Sequence, residues 1–334
     1  MSPRRALPLA AAVLALAVAG AGASLHRALA PLRPDAEPTS FEVPRGSTLG
    51  SIARNLERRA IVRSARAVEW LARLRGISAD LQAGEYRLSA SLSPGEILDI
   101  LASGRVVTHE VVLPEGLTAV EIAQRLEAAG LTRATEFVAL ARDPASAARF
   151  GVEGPTLEGY LFPDTYRMPR NLTPSQIAQV LMEQFLRVWN EISAAAAAQG
   201  LSMREVATLA SIVEKETSAP QERPLIAGVF RNRLALGMRL ESDPTVIYGI
   251  PDFDGNLKRV HLLDSENPYN TYQRSGLPPG PIANPGADSL RAVVSPADTD
   301  YLFFVSRNDG THIFSRSYRE HVNNVNRFQK RRGH

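Results

Sequence analysis

Two stretches in the first half of the chain repeat one pattern. VPRGSTLGSIARNL at 43–56 aligns with LPEGLTAVEIAQRL at 113–126, and proline, glycine, threonine and apolar positions recur in register. In each copy a short apolar stretch, FEV or HEVVL, leads into a Pro-x-Gly turn, after which Ser47/Thr48 or Thr118 can cap an amphipathic helix. A repeated strand-turn-helix unit combines short strands with helices, so the pattern predicts an α+β fold.

The repeated unit resembles the opening of a LysM module, a small glycan-binding domain. We therefore expect a LysM-like α/β domain around the two copies. A strand-turn-helix unit is also an ordinary folding unit, so the repeat by itself leaves glycan binding and a purely structural role both open.

The remaining sequence in this part of the chain alternates between helical and strand periodicity. AVEWLARLRG at 67–76 and SPGEILDILASG at 93–104 have helical periodicity, whereas AGEYRL at 83–88 is typical of a strand. Because 334 residues suggest two globular parts, we place a boundary near Gly151. The prediction is a LysM-like domain at 41–150 and a mixed α/β domain with a loop-rich cleft at 151–334.

The chain starts with a segment typical of membrane insertion. Arg4 and Arg5 precede an uncharged run from Ala6 to Leu25, whose helical length of about 30 Å matches the hydrocarbon core of a bilayer. The two arginines favour a cytoplasmic N-terminus, with the folded part on the outer side.

From this pattern we predict a cytoplasmic segment at 1–5, a transmembrane anchor at 6–26 and a linker at 27–40 that holds three prolines. The alternative is a cleaved signal peptide, for which AGAS at 21–24 supplies the small residues of a cleavage site. We favour the anchor because the apolar run exceeds the ~7–15 residues of a signal core.

Composition excludes several classes of function. Hydrophobic residues make up 44% and charged residues 22%, as in a folded protein. The net charge of +3 comes without a dense Lys/Arg block outside the tail QKRRGH, so we predict no nucleic-acid partner. No cysteine is present and the six histidines lack HExxH-type spacing, so we predict neither a metal nor another cofactor.

Helices and turns alternate in the second domain. EGYLFPDTYRMPRNLTP at 158–174 is a predicted strand-and-turn segment, followed by a long helix at about 175–199 and another that Ser202 caps. A further helix follows Pro220, then loops, and finally a strand pair joined through 308–310.

The helix that Ser202 caps ends in the sequence Glu-Lys-Glu. On a helical wheel, Glu216 lies about 40° from the centre of an apolar stripe and Glu214 about 120° away, toward the flank. The stripe consists of Val206, Leu209, Ile212 and Val213. Burial raises the pKa of a carboxyl toward neutrality, as a general acid requires, so Glu216 is the candidate catalytic residue. The alternative is an exposed helix end, or a carboxylate paired with Arg223 or Arg231.

Polar and aromatic side chains are dense in the segments that follow. Amides, hydroxyls and tyrosine rings suit the recognition of sugars, because rings stack on pyranoses while amides bond their substituents. The predicted substrate-binding residues are Asn232, Asp243, Thr245, Tyr248, Asn270, Thr271 and Tyr272, and Asn284 belongs to the same polar set. Each segment taken alone is also explained by ordinary turn chemistry.

Several of these segments resemble the endolytic murein transglycosylases of the MltG (YceG-like) type. The resemblance covers nearly the whole chain and rests on ASIVEKET, FRNRL with LGMRL, SDPTVIYG, YNTYQRSGLPPGPI, NPGADSLRA and EGYLFPDTY. In that family the second glutamate of Glu-Lys-Glu is the catalytic acid/base, which corresponds to Glu216.

The resemblance implies a lyase that cleaves the bond between N-acetylmuramic acid and N-acetylglucosamine within nascent peptidoglycan strands. The cleavage would be non-hydrolytic, leave 1,6-anhydro ends and terminate glycan elongation. The implied partners are glycan strands, the bacterial inner membrane and the peptidoglycan synthases.

Two other functions stay open at the level of sequence. One is a hydrolytic muramidase, with Glu216 as acid and Asp243 or Glu241 as its partner. The other is a non-catalytic scaffold that only binds peptidoglycan.

Overall fold

The computed structural model describes the backbone of residues 6–329 and the side chains of residues 15–329. Within this range, the elements are helices and three small sheets of two strands each. The predicted α+β fold class is confirmed.

The chain divides into two compact units. The first comprises Met1–His109 and Arg167–Asn171, and the second comprises Glu110–Tyr166 and Leu172–His334. The division at Glu110 differs from the predicted domain boundary near Gly151. The physical reason is that the second copy of the repeat packs within the later unit, as the contacts of its turn show below.

The first unit holds the first copy of the repeat. Its elements are α1 (Ala6–Leu29), β1 (Thr39–Val43), α2 (Leu49–Arg58), α3 (Ala65–Leu74), β2 (Gly84–Leu88) and α4 (Pro94–Ala102). Strands β1 and β2 are antiparallel, and Phe41 lies opposite Tyr86 in the core. The predicted cap of α2 is confirmed, because the Thr48 side chain accepts from the amide of Ser51 at 3.2 Å.

The predicted cytoplasmic segment at 1–5, and the side chains of residues 6–14 in the predicted anchor, lie outside what the structure describes. Among the described residues, no helix has both the length and the apolar character needed to cross a bilayer.

The second unit contains the second copy of the repeat and most later elements. These are β3 (His109–Leu113), α5 (Ala119–Ala128), α6 (Ala134–Arg142), α7 (Pro144–Arg149), β4 (Asp164–Met168), α8 (Pro174–Ala198), α9 (Met203–Glu216), α10 (Arg223–Ala235), α11 (Asp243–Tyr248), α12 (Arg259–Leu262), α13 (Ala287–Val294), β5 (Phe303–Ser306), β6 (His312–Ser315) and α14 (Tyr318–Phe328). Strand β3 pairs with β4, and β5 pairs with β6. The predicted repeat, the long helix and the final strand pair are confirmed.

Helix α11 lies in ESDPTVIYG, a segment that we predicted as a loop, and α13 lies in NPGADSLRA, for which we predicted no helix or strand. Pro244 occupies the first turn of α11, where proline is tolerated because the amide has no helical partner there. The loop prediction for ESDPTVIYG was therefore wrong.

Helix α9 is the central element of the second unit. Ser202 and Glu205 form a capping box at its start, as the sequence indicated for Ser202. Every residue from Val206 to Val213 is buried, because α8, α10, α11 and α13 all pack against the helix. The predicted apolar stripe is confirmed, and the helix carries its last residue, Glu216, to the edge of this core.

Candidate active site

Glu216 is the half-buried last residue of α9, and Thr217 after it is already extended. The Ser242 hydroxyl donates a hydrogen bond to Glu216 Oε1 at 2.5 Å. Burial raises the pKa of Glu216 to about 7, and Asp243 adds to the rise, whereas the Ser242 bond and the charge of Arg233 oppose it. A carboxyl with this pKa can hold a proton near neutral pH and then release it.

Glu216 faces a polar cavity of about 410 Å³. Two predicted substrate-binding residues, Asp243 and Tyr272, line the same cavity, and the Tyr272 hydroxyl donates to Asp243 Oδ1 at 2.7 Å. The other lining residues are Arg233, Leu240, Glu241, Phe304, Val305, Ser306, His312, His321, Val325 and Gln329. The cavity therefore joins the end of α9 to the segment before α11 and to the final strand pair.

Ser242 is held in place by two buried threonines. Thr271 Oγ1 accepts from the Ser242 amide at 3.0 Å, and Thr245 Oγ1 donates to the Ser242 carbonyl at 2.7 Å. The two threonine hydroxyls are 2.8 Å apart. Glu241, just before Ser242, has φ +52°, a strained region for a residue with a side chain. These contacts fix the hydroxyl that hydrogen-bonds Glu216.

Arg233 is the buried cation of the cavity. Its Nε donates to the Leu302 carbonyl at 2.6 Å, and Nη1 donates to the Leu240 carbonyl at 2.8 Å and to Glu241 Oε2 at 3.2 Å. Its guanidinium also lies over the Phe303 ring, 5.0 Å from the centroid. A cation fixed in this way lowers the pKa of Glu216 without forming a direct ion pair with it.

The position of the Glu214 side chain differs from the prediction, which placed it toward the flank of the helix. Its side chain is only 6% exposed and pairs with Arg223 Nη2 at 3.0 Å. The Gly286 amide and the Ser289 hydroxyl also donate to Glu214, at 3.0 and 2.7 Å. Arg223 thus pairs with Glu214, and with Glu115 at 3.0 Å, rather than with Glu216 as the alternative interpretation held. Glu214 is a satisfied structural carboxylate.

Glu158 is a second carboxyl with a raised pKa, and sequence reasoning missed it. Burial to 4% exposure raises its pKa to about 7. Its oxygens accept from the Ala119 amide, from Tyr248 at 3.2 Å and from Asn284 at 2.7 Å. Since Glu158 does not line the cavity of Glu216 and its oxygens are occupied, its role is to hold these segments together.

The structure places the other predicted substrate-binding residues outside the lining of this cavity. Their polar groups bond to the protein itself: Asn232 to the carbonyls of Thr299 and Tyr301, Thr245 to Ser242, Tyr248 to Glu158, Asn270 to the carbonyls of His261, Leu262 and Asp264, and Thr271 to Ser242. Asn284 is fully buried. Thr245 and Thr271 still act on the site, because they hold Ser242.

The first unit has a cavity of similar size, about 440 Å³, beside β1 and β2. Its carboxylate Glu85 accepts from Ser40 at 2.8 Å and lies 2.9 Å from His109, and these bonds lower its pKa. A carboxyl that is ionised at low pH cannot serve as an acid near neutrality. The candidate active site is therefore the cavity of Glu216. Among the described residues, no cluster of three or more His, Asp or Glu side chains is arranged to hold a metal ion.

In this α+β protein, a buried helix presents a carboxyl whose pKa is raised toward neutrality to a polar cavity. A protein of this class is able to protonate a polar molecule bound in that cavity. Comparison with known proteins gives the family. The YceG-like family model matches residues 41–327, so the chain belongs to the YceG-like family.

Named relatives and a solved structure extend this result. The chain is 29% identical over 310 residues to an endolytic murein transglycosylase of Bacillus subtilis, covering 88% of this chain and 86% of that protein. It is 28% identical over 314 residues to one of Streptococcus pneumoniae, covering 85% of this chain and 57% of that longer protein. The fold is similar to the crystal structure of a putative yceG-like protein from Listeria monocytogenes, with a TM-score of 0.60, 30% identity, and coverage of 86% of this chain and 99% of that one.

Proposed function

We propose that this protein is an endolytic murein transglycosylase, a lyase that cuts within peptidoglycan glycan strands. The bond cut is the one from N-acetylmuramic acid to N-acetylglucosamine, and the muramic end becomes a 1,6-anhydro sugar. The names of the relatives support the activity. The observation that carries the proposal is the Glu216 carboxyl, whose pKa is raised to about 7 at the edge of a polar cavity.

In the proposed reaction Glu216 acts first as an acid and then as a base. The protonated carboxyl donates its proton to the glycosidic oxygen while the bond from that oxygen to the anomeric carbon breaks. The resulting carboxylate takes the proton of the sugar's own 6-hydroxyl, whose oxygen bonds to the anomeric carbon. Glu216 gives up one proton and takes one back, so it returns to its protonated form, and no water is consumed.

One carboxyl suffices in this scheme because the attacking hydroxyl already belongs to the substrate. An internal nucleophile gains from proximity, whereas a glycosidase needs a second carboxylate to activate water or to attack. Positive charge that develops at the anomeric carbon requires an anionic neighbour. Asp243 is available for this role, since it lines the cavity and its charge already acts on Glu216.

A hydrolytic muramidase is the second candidate, and one observation favours it. Asp243 and Glu241 both line the cavity of Glu216, so a second carboxylate is present. The masses of the released fragments separate the two functions, because an anhydro end is lighter by one water than a hydrolysed end. We expect only anhydro ends; hydrolysed ends would establish the muramidase.

Glu216→Gln tests the acid itself. We expect the variant to fold normally and to lose activity by at least about 10²- to 10⁴-fold, since an amide cannot supply the proton. The measurement is the release of fragments from purified glycan strands, detected by mass spectrometry. Glu183→Gln, which makes the same change on the exposed side of α8, is the matched control and should cut at the normal rate. Retained turnover in Glu216→Gln would remove Glu216 from the mechanism.

We also propose that the protein is anchored in the bacterial inner membrane with its active site on the periplasmic or extracytoplasmic side. The uncharged run from Ala6 to Leu25 behind Arg4 and Arg5 supports this placement. Beside the membrane, the enzyme would meet nascent strands next to the synthases and terminate their elongation. Glycan binding by the LysM-like first unit belongs to the same proposal and is supported by the cavity beside β1 and β2.

A further inference from the structure

His312 lines the same cavity as Glu216 and has no part in the mechanism above. Strand β6 carries it, and its side chain is 13% exposed. Its ring makes a T-shaped contact with Phe304, with the ring centroids 5.4 Å apart and the planes at 88°. The imidazole is therefore held at one wall of the cavity.

A buried carboxylate fixes the orientation of this imidazole. Glu222 Oε1 accepts from the His312 amide at 2.8 Å, and Glu222 Oε2 lies 2.7 Å from His312 Nδ1. The side chain of Glu222 is 8% exposed. Thr217, which directly follows Glu216, also donates to Oε2, at 3.2 Å. One carboxylate thus ties the end of the acid-bearing helix to the strand of His312.

The same contact determines which ring nitrogen carries hydrogen. Glu222 Oε2 already accepts from Thr217, so it also serves as the acceptor for Nδ1, and the tautomer with hydrogen on Nδ1 has its lone pair on Nε2. Within the part of the chain that the structure describes, no protein group hydrogen-bonds Nε2. Carboxylate–imidazole pairs of this kind commonly orient a histidine toward a ligand.

We propose that His312 contacts the substrate and that its Nε2 accepts a hydrogen bond from a hydroxyl of the sugar bound at Glu216. Glu222 acts through His312 and is a positioning residue. The inference rests on the proposed function for the identity of the ligand, a hydroxyl-rich glycan strand. The wall of the cavity thereby gains a hydrogen-bond acceptor that suits the many hydroxyl donors of a sugar.

Two amide substitutions test the two nitrogens of the imidazole separately. His312→Asn can place an amide donor near the position of Nδ1 and keep the bond to Glu222, but it has nothing at Nε2. His312→Gln reaches the position of Nε2 and loses the donor at Nδ1. A purely structural histidine would need Nδ1, whereas a substrate-binding histidine needs Nε2.

Binding is measured by calorimetry with purified glycan strands in the Glu216→Gln background, so that the strands stay uncut. We expect His312→Asn to raise Kd about 10-fold, the effect of one lost hydrogen bond, while the thermal unfolding midpoint stays near that of the parent. His312→Gln should bind within about 3-fold of the parent and unfold at a lower temperature. His261→Asn, a histidine outside this cavity, is the control and should leave Kd unchanged.

An unchanged Kd in His312→Asn would overturn the inference and leave His312 a structural residue. Cleavage by the native protein is a separate readout: if it cuts no strand, the proposed function fails, while a rise in Kd for His312→Asn still supports the contact. Glu222→Gln in the otherwise native enzyme should raise KM about 3- to 10-fold with kcat nearly unchanged, as expected for uniform binding. A fall in kcat at constant KM would contradict the positioning role of Glu222.

Discussion

Glu214 and Glu216 stand two residues apart on one helix and have opposite electrostatic surroundings. Glu214 has an arginine, an amide and a hydroxyl as partners, so its charge is compensated. Glu216 has one hydroxyl bond, from Ser242, and a raised pKa. The difference between these two carboxyls therefore lies in their partners, because both side chains lie against the protein interior.

Ser242→Ala should move the pH dependence of cleavage. Glu216 must be protonated to act as an acid, so the rate is expected to fall as pH rises through about 7. The Ser242 bond stabilises the carboxylate and lowers its pKa, so removing the hydroxyl raises the pKa and shifts the alkaline limb of the kcat profile to higher pH.

The measurement is kcat against pH, and at pH 6 the loss should stay below about 10-fold. Ser193→Ala on α8 provides the control, since it lies outside the cavity. An alkaline limb that stays in place in Ser242→Ala would mean that another group controls it.

Glu214→Ala should act on stability. It leaves Arg223 buried without its best partner, and breaking a buried pair from one side costs about 3 kcal/mol or more. The free energy of unfolding in urea measures the loss. Glu216→Gln removes no ion pair and should change this free energy by less than about 1 kcal/mol. A loss below about 0.5 kcal/mol for Glu214→Ala, typical of surface positions, would contradict the role assigned to the pair.

Sequence reasoning singled out Glu216 as the candidate acid but found few of its partners. The apolar spacing from Val206 to Val213 was sufficient to place Glu216 against a core. Ser242 and His312 approach from distant parts of the chain, and helical periodicity carries no information about such contacts. The buried amides and hydroxyls, such as Asn270, have the composition of a sugar site but hydrogen-bond their own loops.

At the scale of elements, the two copies of the repeat have taken different roles. In the second copy, the Gly116 amide donates to the Asn284 carbonyl at 2.9 Å, and Lys215 of α9 donates to the Gly116 carbonyl at 3.2 Å. Glu115 of the same turn pairs with Arg223. The second strand-turn-helix unit thus supports helix α9, which carries the candidate acid, and this favours the structural interpretation for that copy.

Asn284→Ala should destabilise this support. The Asn284 side chain accepts from the amides of Gly159 and Leu161, both at 2.9 Å, and donates to Glu158 and to the Leu117 carbonyl. Removing it leaves several buried groups without partners, so we expect a loss of about 2–4 kcal/mol in the free energy of unfolding.

Denaturant titration checks this expectation. Asn190→Ala, an exposed position on α8, should change the same free energy by no more than about 0.5 kcal/mol. If Asn284→Ala and Asn190→Ala changed the free energy of unfolding equally, the fully hydrogen-bonded amide of Asn284 would contribute no more stability than the exposed amide of Asn190.

Most elements could be predicted from local signals, and the exceptions have a common cause. Caps at Thr48, Thr118 and Ser202, each before an apolar helical pattern, located the start of three helices. Helices α11 and α13 escaped prediction because six to eight residues show too few turns for periodicity. Their stability comes from packing against α9 and its neighbours, which is tertiary information.

At the scale of the whole molecule, the predicted anchor and the candidate active site lie in separate parts of the chain. Removing residues 1–26 takes away the predicted membrane segment and none of the residues that line the cavity of Glu216. We expect the shortened protein to be recovered without detergent and to cut purified strands within about 3-fold of the full chain, since no catalytic contact is lost. The comparison uses the full chain in detergent as its reference. A shortened protein that folds but cuts nothing would show that cleavage depends on the anchor or on a membrane partner.

The division of the chain into units has a practical consequence for anyone exchanging modules. Arg167–Asn171 returns to the first unit after the second has begun. A chimera that replaces the first unit therefore needs three splice points, one near residue 109 and one on each side of that short return, rather than a single fusion. A graft made at residue 109 alone would leave five residues of the old module behind.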